Sequence, residues 1–481
     1  MFIVDLIRIL SVLLAIVGTT FLIPLGAALY CGENSVILPF LVPMAASWIF
    51  CLAVSILFKK RKITLNTRKT YVVVACCWIF TSVFGMIPLL ASGAIPNVTD
   101  AFFESVSGFS TTGATILGDV ESLPRSINMW RCLTHWLGGM GIVALTVALL
   151  PLLGVGGFQL IKAETTGPEK GKVTAKITTT AKILWISYLI LTMVQAVLLK
   201  IFGMDFIDAF SHAFATLGSG GFSTRNASIG AYNSAAIDII CTVFMFLAGI
   251  NFSLFYFAVR GKWREIYENS ELKAYCGIFV LFTISIALCI TKACGSFWTA
   301  LRYSAFQTAS VITTTGFATA DFTVWPSAAQ FFIFVLFFVG GCSGSTGGGV
   351  KVIRWVILFK QANNEIRRMI HPHGVFSLRL NSNPARKELV FSVASFLILY
   401  FLLIFATTFV GCLGKLDMFT AFSGAVSMVG NIGPGFGALS PSANYGFLPG
   451  FVKWWYCFAM LAGRLELYTM LIFFVPSYWK K

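Results

Sequence analysis

Apolar segments of about 20 residues follow one another along most of this chain, and each is long enough to cross a lipid bilayer as a helix. A bilayer offers no water to backbone N–H and C=O groups, so the segments that cross it must be helices or closed barrels. The 481 residues are 57% hydrophobic and 11% charged, whereas a soluble domain carries about 25% charged residues. We therefore predict an all-α membrane protein with ten spans, at about 3–30, 37–58, 70–91, 127–152, 183–203, 234–259, 274–293, 325–349, 388–413 and 447–475.

The basic residues lie on one side of this array if the spans alternate. Most of the 35 Lys and Arg fall in the segments 59–69, 162–182, 260–273, 351–387 and 480–481. This distribution follows the positive-inside rule, so we expect these segments and both termini in the cytoplasm. The first span is too long for a signal-peptide core and has no small-residue cleavage site after it. The net charge of +16 is thus explained by topology, and we expect no nucleic-acid partner.

A short stretch centred on a glycine recurs four times, at intervals of about 100 residues, each time between two spans. An apolar segment too short to cross the bilayer precedes each glycine, which predicts a re-entrant half-helix. Asp100, Asp208 and Asp417 stand where we expect N-caps. A small residue precedes each glycine by six positions, so the four registers match without gaps. The half-helices are Asp100–Phe109, Asp208–Leu217, Trp298–Ala309 and Asp417–Met428, the glycines are Gly113, Gly221, Gly316 and Gly433, and the small residues are Ser107, Ala215, Ser310 and Ser427.

This repetition predicts four pseudo-symmetric span–pore loop–span units around a central pore, preceded by an N-terminal two-helix hairpin. Each half-helix would direct its C-terminal end, which carries about half a negative charge, toward the membrane centre. The backbone carbonyls that follow could replace the hydration shell of a cation. No carboxylates occupy these positions, which favours a monovalent ion over Ca²⁺ or Mg²⁺, and we expect potassium. The boundaries are 1–66 for the hairpin, then 67–160, 161–262, 263–384 and 385–481 for the four units.

Two further elements stand out because a lipid environment does not tolerate them without a cavity or a partner. The Gly-rich segment 341–349 cannot be a stable helix, and it interrupts a span. Arg464 lies inside the last span, where its insertion costs at least about 2.5 kcal/mol. Glu466 faces another way on a helix, so we expect backbone carbonyls of the Gly-rich segment as partners of Arg464, with snorkelling to the interface as the alternative. His135, beside Trp136, fits a packed structural residue better than a proton site.

The motifs that carry the match are the four glycine stretches, Arg131–Gly141, Gly340–Lys351 and Gly463–Glu466. On these residues the chain resembles the membrane subunit of the Trk/Ktr/HKT superfamily of potassium transporters, and within it the Trk branch. The resemblance implies a potassium selectivity filter and a mobile intramembrane loop that, with a deep arginine, gates the pore. It implies as filter residues Thr111, Thr112, Gly113, Ser219, Gly220, Gly221, Thr314, Thr315, Gly316, Asn431, Ile432 and Gly433. It implies as gate residues Gly344, Ser345, Thr346, Gly347, Gly348, Gly349, Lys351 and Arg464.

The same resemblance implies a bacterial cytoplasmic (inner) membrane protein, surrounded by membrane lipid, that forms a homodimer. It also implies a cytosolic nucleotide-binding regulatory subunit of the Trk type that controls the gate. Relatives that prefer sodium commonly have Ser at the first glycine, so Gly113 favours potassium. The flux could be passive, as in an ion channel, or coupled to a proton or sodium ion, as in a symport.

Two other classes of function are less compatible with the sequence. An ion-coupled secondary transporter of another small solute would need polar side chains in mid-span and a larger pocket. An enzyme would need paired acids, a nucleophile with a base, or a metal cluster. Asp238, Glu466 and Arg464 are the few charges expected to be deep, and they form no such set. The 12 cysteines are scattered without ligand spacing, so we expect neither a catalytic site nor a metal centre built from side chains.

Overall fold

A computed structural model describes residues 2–59, 67–139, 141, 177–381, 383–384 and 387–479. Apart from a two-residue strand pair, Arg379–Leu380 antiparallel to Asn383–Pro384, the regular structure in these residues is helical. The α-helices are Phe2–Thr20, Leu22–Cys31, Ile37–Leu57, Thr67–Gly85, Ile87–Ala91, Val98–Phe109, Arg125–Gly139, Ile177–Ile201, Phe206–Gly218, Ala235–Ala248, Phe252–Val259, Trp263–Tyr267, Ser270–Cys294, Phe297–Ile312, Ser327–Leu336, Val352–Ile370, Lys387–Leu413, Met418–Gly430, Gly450–Arg464, Tyr468–Leu471 and Pro476–Trp479.

Several of these helices are long and apolar enough to cross a membrane. Among the described residues there are six, and the pair Ala235–Ala248 and Phe252–Val259, bent by 94°, would make a seventh. Their outer faces expose large apolar side chains, for example Ile49 (68% exposed), Leu288 (65%) and Phe409 (65%). Surfaces of this kind are stable only against lipid, so the chain is an integral membrane protein.

Four of the ten expected spans differ from continuous helices, and one of them is the span expected at 234–259, which is the bent pair Ala235–Ala248 and Phe252–Val259. The span expected at 127–152 runs beyond Gly139 into residues outside the described ones. The span expected at 325–349 contains the helix Ser327–Leu336, which ends before the Gly-rich segment. The span expected at 447–475 is broken, because its helix ends at Arg464 and the next residues, Glu466 and Leu467, adopt positive φ angles of 54° and 59°. A continuous helix was the wrong prediction there, since a left-handed backbone ends an α-helix.

The two N-terminal spans pack against the helices that follow them, through their own helices and the turn between them. The helix Phe2–Thr20 contacts both Ile37–Leu57 and Thr67–Gly85. In the turn, Glu33 accepts hydrogen bonds from the backbone N–H of Arg125 (2.7 Å) and from the N–H of Ser126 (3.1 Å). These N–H groups lie at the start of the helix Arg125–Gly139, where they have no partner within the helix, so Glu33 acts as its N-terminal cap.

The four predicted half-helices are present as short helices packed inside the surrounding long ones, and we call them short helices 1 to 4. Their bounds are Val98–Phe109, Phe206–Gly218, Phe297–Ile312 and Met418–Gly430. Nearly every residue in the second half of each one is buried. These bounds agree with the predicted segments to within three residues, because length and apolar character identify such elements reliably.

The predicted N-caps are correct only for Asp417, whose side chain accepts the N–H of Thr420 at 3.0 Å. Short helices 1 and 2 begin earlier than expected, because Asn97 and Asp205 provide the cap instead. Asp100 and Asp208 therefore lie in the first helical turn, and both bind cationic side chains. Asp100 accepts from the Lys453 ammonium at 2.6 Å, and Asp208 accepts from the Arg225 guanidinium at 3.1 Å.

Candidate ion pathway

All four short helices end in the same backbone turn. A residue with φ between 55° and 58° ends the helical path, and the key glycine two positions later also has positive φ. The residue between them donates its N–H to the carbonyl of the small residue five positions earlier, at 2.8–2.9 Å. The residues with φ of 55–58° are Thr111, Ser219, Thr314 and Asn431. The N–H to carbonyl pairs are Thr112 to Ser107, Gly220 to Ala215, Thr315 to Ser310 and Ile432 to Ser427. The matching registers read from the sequence thus correspond to one repeated hydrogen-bond geometry.

These four turns contact one another and close into a ring. A Cβ atom on Gly113 would overlap the carbonyl oxygen of Gly220 in the second turn. A Cβ on Gly221 would overlap the carbonyl of Thr315, one on Gly316 would overlap that of Ile432, and one on Gly433 would lie 2.6 Å from that of Thr112. Each glycine therefore approaches a backbone carbonyl of the next turn, and the fourth returns to the first. Glycine is required at these positions both by the positive φ and by this close approach.

The ring opens on one side into a small cavity of about 140 Å³, which all four glycines line. Charged side chains around this opening are paired with one another. The Arg225 guanidinium contacts Asp208 at 3.1 Å and Glu121 at 3.4 Å. Asp119 lies in the loop that follows the first turn, and Asn226 lies in the loop that follows the second. The side-chain amide of Asn226 donates to the Asp119 carboxylate at 2.7 Å. This hydrogen bond, with the N–H of Glu121, holds the pKa of the Asp119 carboxyl below its usual value.

A buried ion pair lies behind the first two turns. The Arg131 guanidinium donates to Glu104 Oε1 through Nε at 2.8 Å and through Nη2 at 2.7 Å, and both side chains are at most 2% exposed. Glu104 Oε2 also accepts the N–H of Ile116 at 3.0 Å, and the guanidinium stacks 4.4 Å from the Phe222 ring. The pair therefore joins the segment after the first turn to the segment after the second.

Sequence reasoning did not identify this pair, although a carboxylate inside a predicted half-helix and a guanidinium inside a predicted span could have suggested it. The expectation that Asp238, Glu466 and Arg464 are the few deep charges is wrong. Among the described residues eight further charged side chains are buried, and most of them are satisfied by hydrogen bonds to neighbouring backbone or to an opposite charge. They are Asp5, Glu104, Arg131, Asp208, Glu271, Lys351, Arg354 and Lys453.

His135 holds the first two turns together and is fully buried. Its Nδ1 lies 2.7 Å from the carbonyl oxygen of Gly108, so Nδ1 carries the proton and donates. Its Nε2 accepts the backbone N–H of Phe222 at 3.1 Å. Both ring nitrogens are occupied by backbone groups in a neutral tautomer, which confirms the interpretation of His135 as a packed structural residue.

The Gly-rich segment is non-helical as predicted, and it lies directly against the ring. Its Gly348 N–H donates to the Thr314 hydroxyl at 2.6 Å, and the hydroxyls of Thr346 and Ser219 are 2.7 Å apart. Thr314 and Ser219 are the left-handed residues of the third and second turns. Lys351, two residues after the segment, donates a hydrogen bond from its ammonium to the carbonyl of Gly347 inside it. The predicted gate residues and the predicted filter residues are therefore in direct contact.

Arg464 connects this segment to two other parts of the chain. Its Nη1 donates to the carbonyl oxygen of Thr346 at 2.8 Å. Its Nη2 donates to the carbonyl oxygens of Gly138 at 2.7 Å and Gly139 at 2.9 Å. The prediction that backbone carbonyls of the Gly-rich segment bind Arg464 is confirmed, and snorkelling is not needed. Glu466 forms an ion pair with Arg354 at 2.8 Å.

Glu271 binds the Gly-rich segment and the helix that follows it. Its Oε1 accepts the N–H of Ser343 at 2.7 Å and the N–H of Ile353 at 3.1 Å. Ile353 lies in the first turn of the helix Val352–Ile370, where backbone N–H groups need an outside acceptor. Ser343 in the segment and Ile353 at the start of the next helix, ten residues apart, are therefore held at one carboxylate oxygen. Sequence reasoning missed Glu271, because nothing local to it indicates a contact with residues more than 70 positions away.

The fold and this site define an integral membrane protein whose short, buried helices end in a ring of four glycine-centred turns. A family model described as "TrkH: Cation transport protein" matches residues 41–293 and 296–481. The chain belongs to this TrkH family of cation transport proteins.

Individual relatives and one solved structure agree with this assignment. The Trk system potassium uptake protein TrkH of Halomonas elongata is 41% identical over 423 residues, covering 87% of each chain. The protein of the same name from Escherichia coli K12 is 38% identical over 429 residues, covering 88% of each. The crystal structure of the potassium transporter TrkH from Vibrio parahaemolyticus superposes with a TM-score of 0.87 at 34% identity and covers 100% of both chains.

Proposed function

We propose that this protein takes up potassium across the bacterial cytoplasmic membrane, through the ring formed by the four glycine-centred turns. The observation that carries the proposal is the close approach of each key glycine to a backbone carbonyl of the next turn, which brings peptide oxygens of all four turns together in one ring. The names of the relatives, which describe potassium uptake, support the choice of ion. The four turns then form the selectivity filter of four pseudo-symmetric units.

The chemistry of the ring suits a monovalent cation. In each turn the first residue and the key glycine two positions later have positive φ, and the residue between them does not. Successive peptide groups therefore change orientation, so that several carbonyls can face one ion. The C-terminal ends of the four short helices add partial negative charge next to the ring. No carboxylate belongs to the twelve filter residues, and neutral carbonyls bind a weakly hydrated ion such as potassium without trapping it.

The Gly-rich segment and Arg464 form the gate in this proposal. The segment lies against Ser219 and Thr314 of the filter, and so it blocks the exit from the ring. Arg464 adds a positive charge and three hydrogen bonds at the same level. Opening requires the segment to leave the filter and Arg464 to release the Thr346 carbonyl.

The rest of the proposal concerns assembly and orientation. The basic segments and both termini face the cytoplasm, where a nucleotide-binding subunit of the Trk type controls the gate. Two copies form a homodimer within the lipid. The amphipathic helix Val352–Ile370 follows the gate directly and carries Arg367 and Arg368 in its last turn. It offers a route from a cytosolic partner to the Gly-rich segment.

The test is uptake of ⁸⁶Rb⁺ into liposomes that contain the purified protein and a high internal potassium concentration. We expect uptake that unlabelled potassium inhibits and that equal sodium inhibits much less. Imposed proton or sodium gradients distinguish the two mechanisms, because a channel conducts without them and a symport does not. Liposomes whose uptake equals that of protein-free vesicles under every gradient would refute the proposal.

A further inference from the structure

The fourth turn of the ring differs from the other three at its glycine. The carbonyl oxygen of Gly433 accepts a hydrogen bond from the hydroxyl of Tyr445 at 2.8 Å. Within the described parts of the chain, no side chain or backbone donor reaches the carbonyl oxygen of Gly113, Gly221 or Gly316. The φ of Gly433 is 102°, whereas the other three glycines lie between 79° and 82°. One carbonyl at the outer end of the ring is therefore engaged by the protein, and three are available.

Tyr445 is held in place by contacts that do not involve its hydroxyl. Its backbone N–H donates to the carbonyl of Thr115 at 2.8 Å, just after the first turn. Its ring packs against Phe103 and Tyr456, with centroids 5.9 and 6.3 Å away, and the residue is 3% exposed. The next residue, Gly446, accepts a hydrogen bond from Lys453 at 2.8 Å. A phenylalanine at this position would keep the ring in place and lose the hydroxyl, which bonds to the Gly433 carbonyl and also interacts with the side chain of Ser427.

We propose that Tyr445 sets the affinity of the outermost ion position by withdrawing the Gly433 carbonyl from the ligands of the cation. This inference rests on the proposed function. A carbonyl oxygen that already accepts a strong hydrogen bond has less electron density to offer a cation. The outermost ion is then bound by three protein oxygens and keeps part of its water. Weak binding at the entrance favours conduction, because an ion that is held too tightly does not move on.

The experiment compares Tyr445→Phe with Tyr456→Phe in the ⁸⁶Rb⁺ uptake assay. The Tyr456 hydroxyl is equally buried and has no hydrogen-bond partner in the described structure, so its removal is a matched control. For Tyr445→Phe we expect the half-saturating rubidium concentration to fall by about three- to tenfold, the change expected when one hydrogen bond no longer competes with the ion. The maximal rate should fall as well, and Tyr456→Phe should leave both values unchanged.

Incorporation of 3-fluorotyrosine at position 445 strengthens the hydrogen bond to the Gly433 carbonyl instead of removing it, and it leaves the size of the side chain nearly unchanged. Fluorine makes the phenol a stronger donor, so the half-saturating concentration should rise above that of the wild type. A second measurement, the dependence of the melting temperature on added rubidium, reports binding without flux. The rubidium concentration that produces half of the rise in melting temperature should be lower for Tyr445→Phe than for the wild type.

The possible outcomes separate this inference from the proposed function. If the wild-type protein gives no uptake, the proposed function itself fails. If the wild type and Tyr456→Phe conduct while Tyr445→Phe has an unchanged half-saturating concentration, the inference is overturned. It is also overturned if Tyr445→Phe raises that concentration and lowers the melting temperature, because the hydroxyl would then only hold the filter together.

Discussion

Arg464 donates a hydrogen bond of 2.8 Å to the carbonyl oxygen of Thr346, in the middle of the Gly-rich segment. The same guanidinium binds the carbonyls at the end of the helix Arg125–Gly139. Thr346 in turn contacts Ser219 of the second turn through its hydroxyl. A single side chain thus joins three segments next to the ring. Any movement of the Gly-rich segment away from the ring has to break the bond between Arg464 and Thr346.

Replacing Arg464 with alanine should therefore increase basal flux. The substitution removes the bond to Thr346 and a positive charge on the path of a cation. Loss of one charge-assisted hydrogen bond of about 1.5 kcal/mol would shift a closed–open equilibrium about tenfold toward the open state. The measurement is ⁸⁶Rb⁺ uptake into liposomes without any regulatory partner. Arg464→Lys, which keeps the charge and loses the planar donor pair, should lie between alanine and the wild type.

A suitable control for Arg464→Ala is Arg264→Ala, because the side chain of Arg264 is 87% exposed and pairs with the nearby Glu268. That variant should conduct like the wild type. A fall in flux for Arg464→Ala, in protein that elutes and melts normally, would contradict the barrier role.

Replacing Gly113 with serine should weaken the preference for potassium over sodium. The new Cβ would overlap the carbonyl oxygen of Gly220, and the φ of 79° disfavours any L side chain. The Gly220 carbonyl has to move, and so the geometry of the ring changes on the side shared by the first two turns. We expect the ratio of potassium to sodium inhibition of ⁸⁶Rb⁺ uptake to fall by about tenfold, which corresponds to about 1.4 kcal/mol of discrimination.

Gly93→Ser is the matched control for this variant. Gly93 has a φ of 73°, and no atom lies within 4 Å of a Cβ built there. The control therefore carries the same backbone strain without the collision. Selectivity that stays at the wild-type value in Gly113→Ser would remove the first turn from the filter.

Local patterns in the sequence predicted much of the fold and part of the site. The short helices were predictable because they are apolar, too short to span, and followed by a glycine at a constant spacing. The irregular Gly-rich segment was predictable because its glycines cannot sustain a helix. The partner of Arg464 followed from physical necessity, since a guanidinium at this depth needs acceptors and the nearest free carbonyls were those of a non-helical segment.

The parts that were not predictable depend on contacts between residues distant in sequence. Glu271 binds Ser343 and Ile353. Glu104, in short helix 1, binds Arg131, in the helix Arg125–Gly139. No spacing rule connects these residues. The caps of short helices 1 and 2 were predicted wrongly because two polar residues lie close together at each start. The residue nearer the N-terminus, Asn97 or Asp205, becomes the cap and leaves the other to bind a cationic side chain.

Glu271→Gln should also raise basal flux, by about fivefold. Glutamine keeps one acceptor oxygen for the N–H groups of Ser343 and Ile353 but loses the negative charge that strengthens both bonds. Ser343 of the Gly-rich segment and the start of the helix that follows are then held less tightly, and states with the segment displaced become more populated. Partner-free ⁸⁶Rb⁺ uptake measures the effect, with Glu268→Gln as the control, because Glu268 lies on an exposed turn. Equal uptake by both variants would show that Glu271 does not restrain the gate.

The buried pair of Glu104 and Arg131 should matter more for stability than any surface ion pair of this protein. Arg131→Met would leave the Glu104 carboxylate buried without its counter-ion, which costs about 3–5 kcal/mol. The double variant Glu104→Gln, Arg131→Met removes both charges, so it should recover a large part of that loss. Thermal unfolding of the detergent-solubilised protein measures both, and Arg264→Ala should not change the melting temperature. If Arg131→Met and the double variant melt at the wild-type temperature, the pair does not hold the first two turns together.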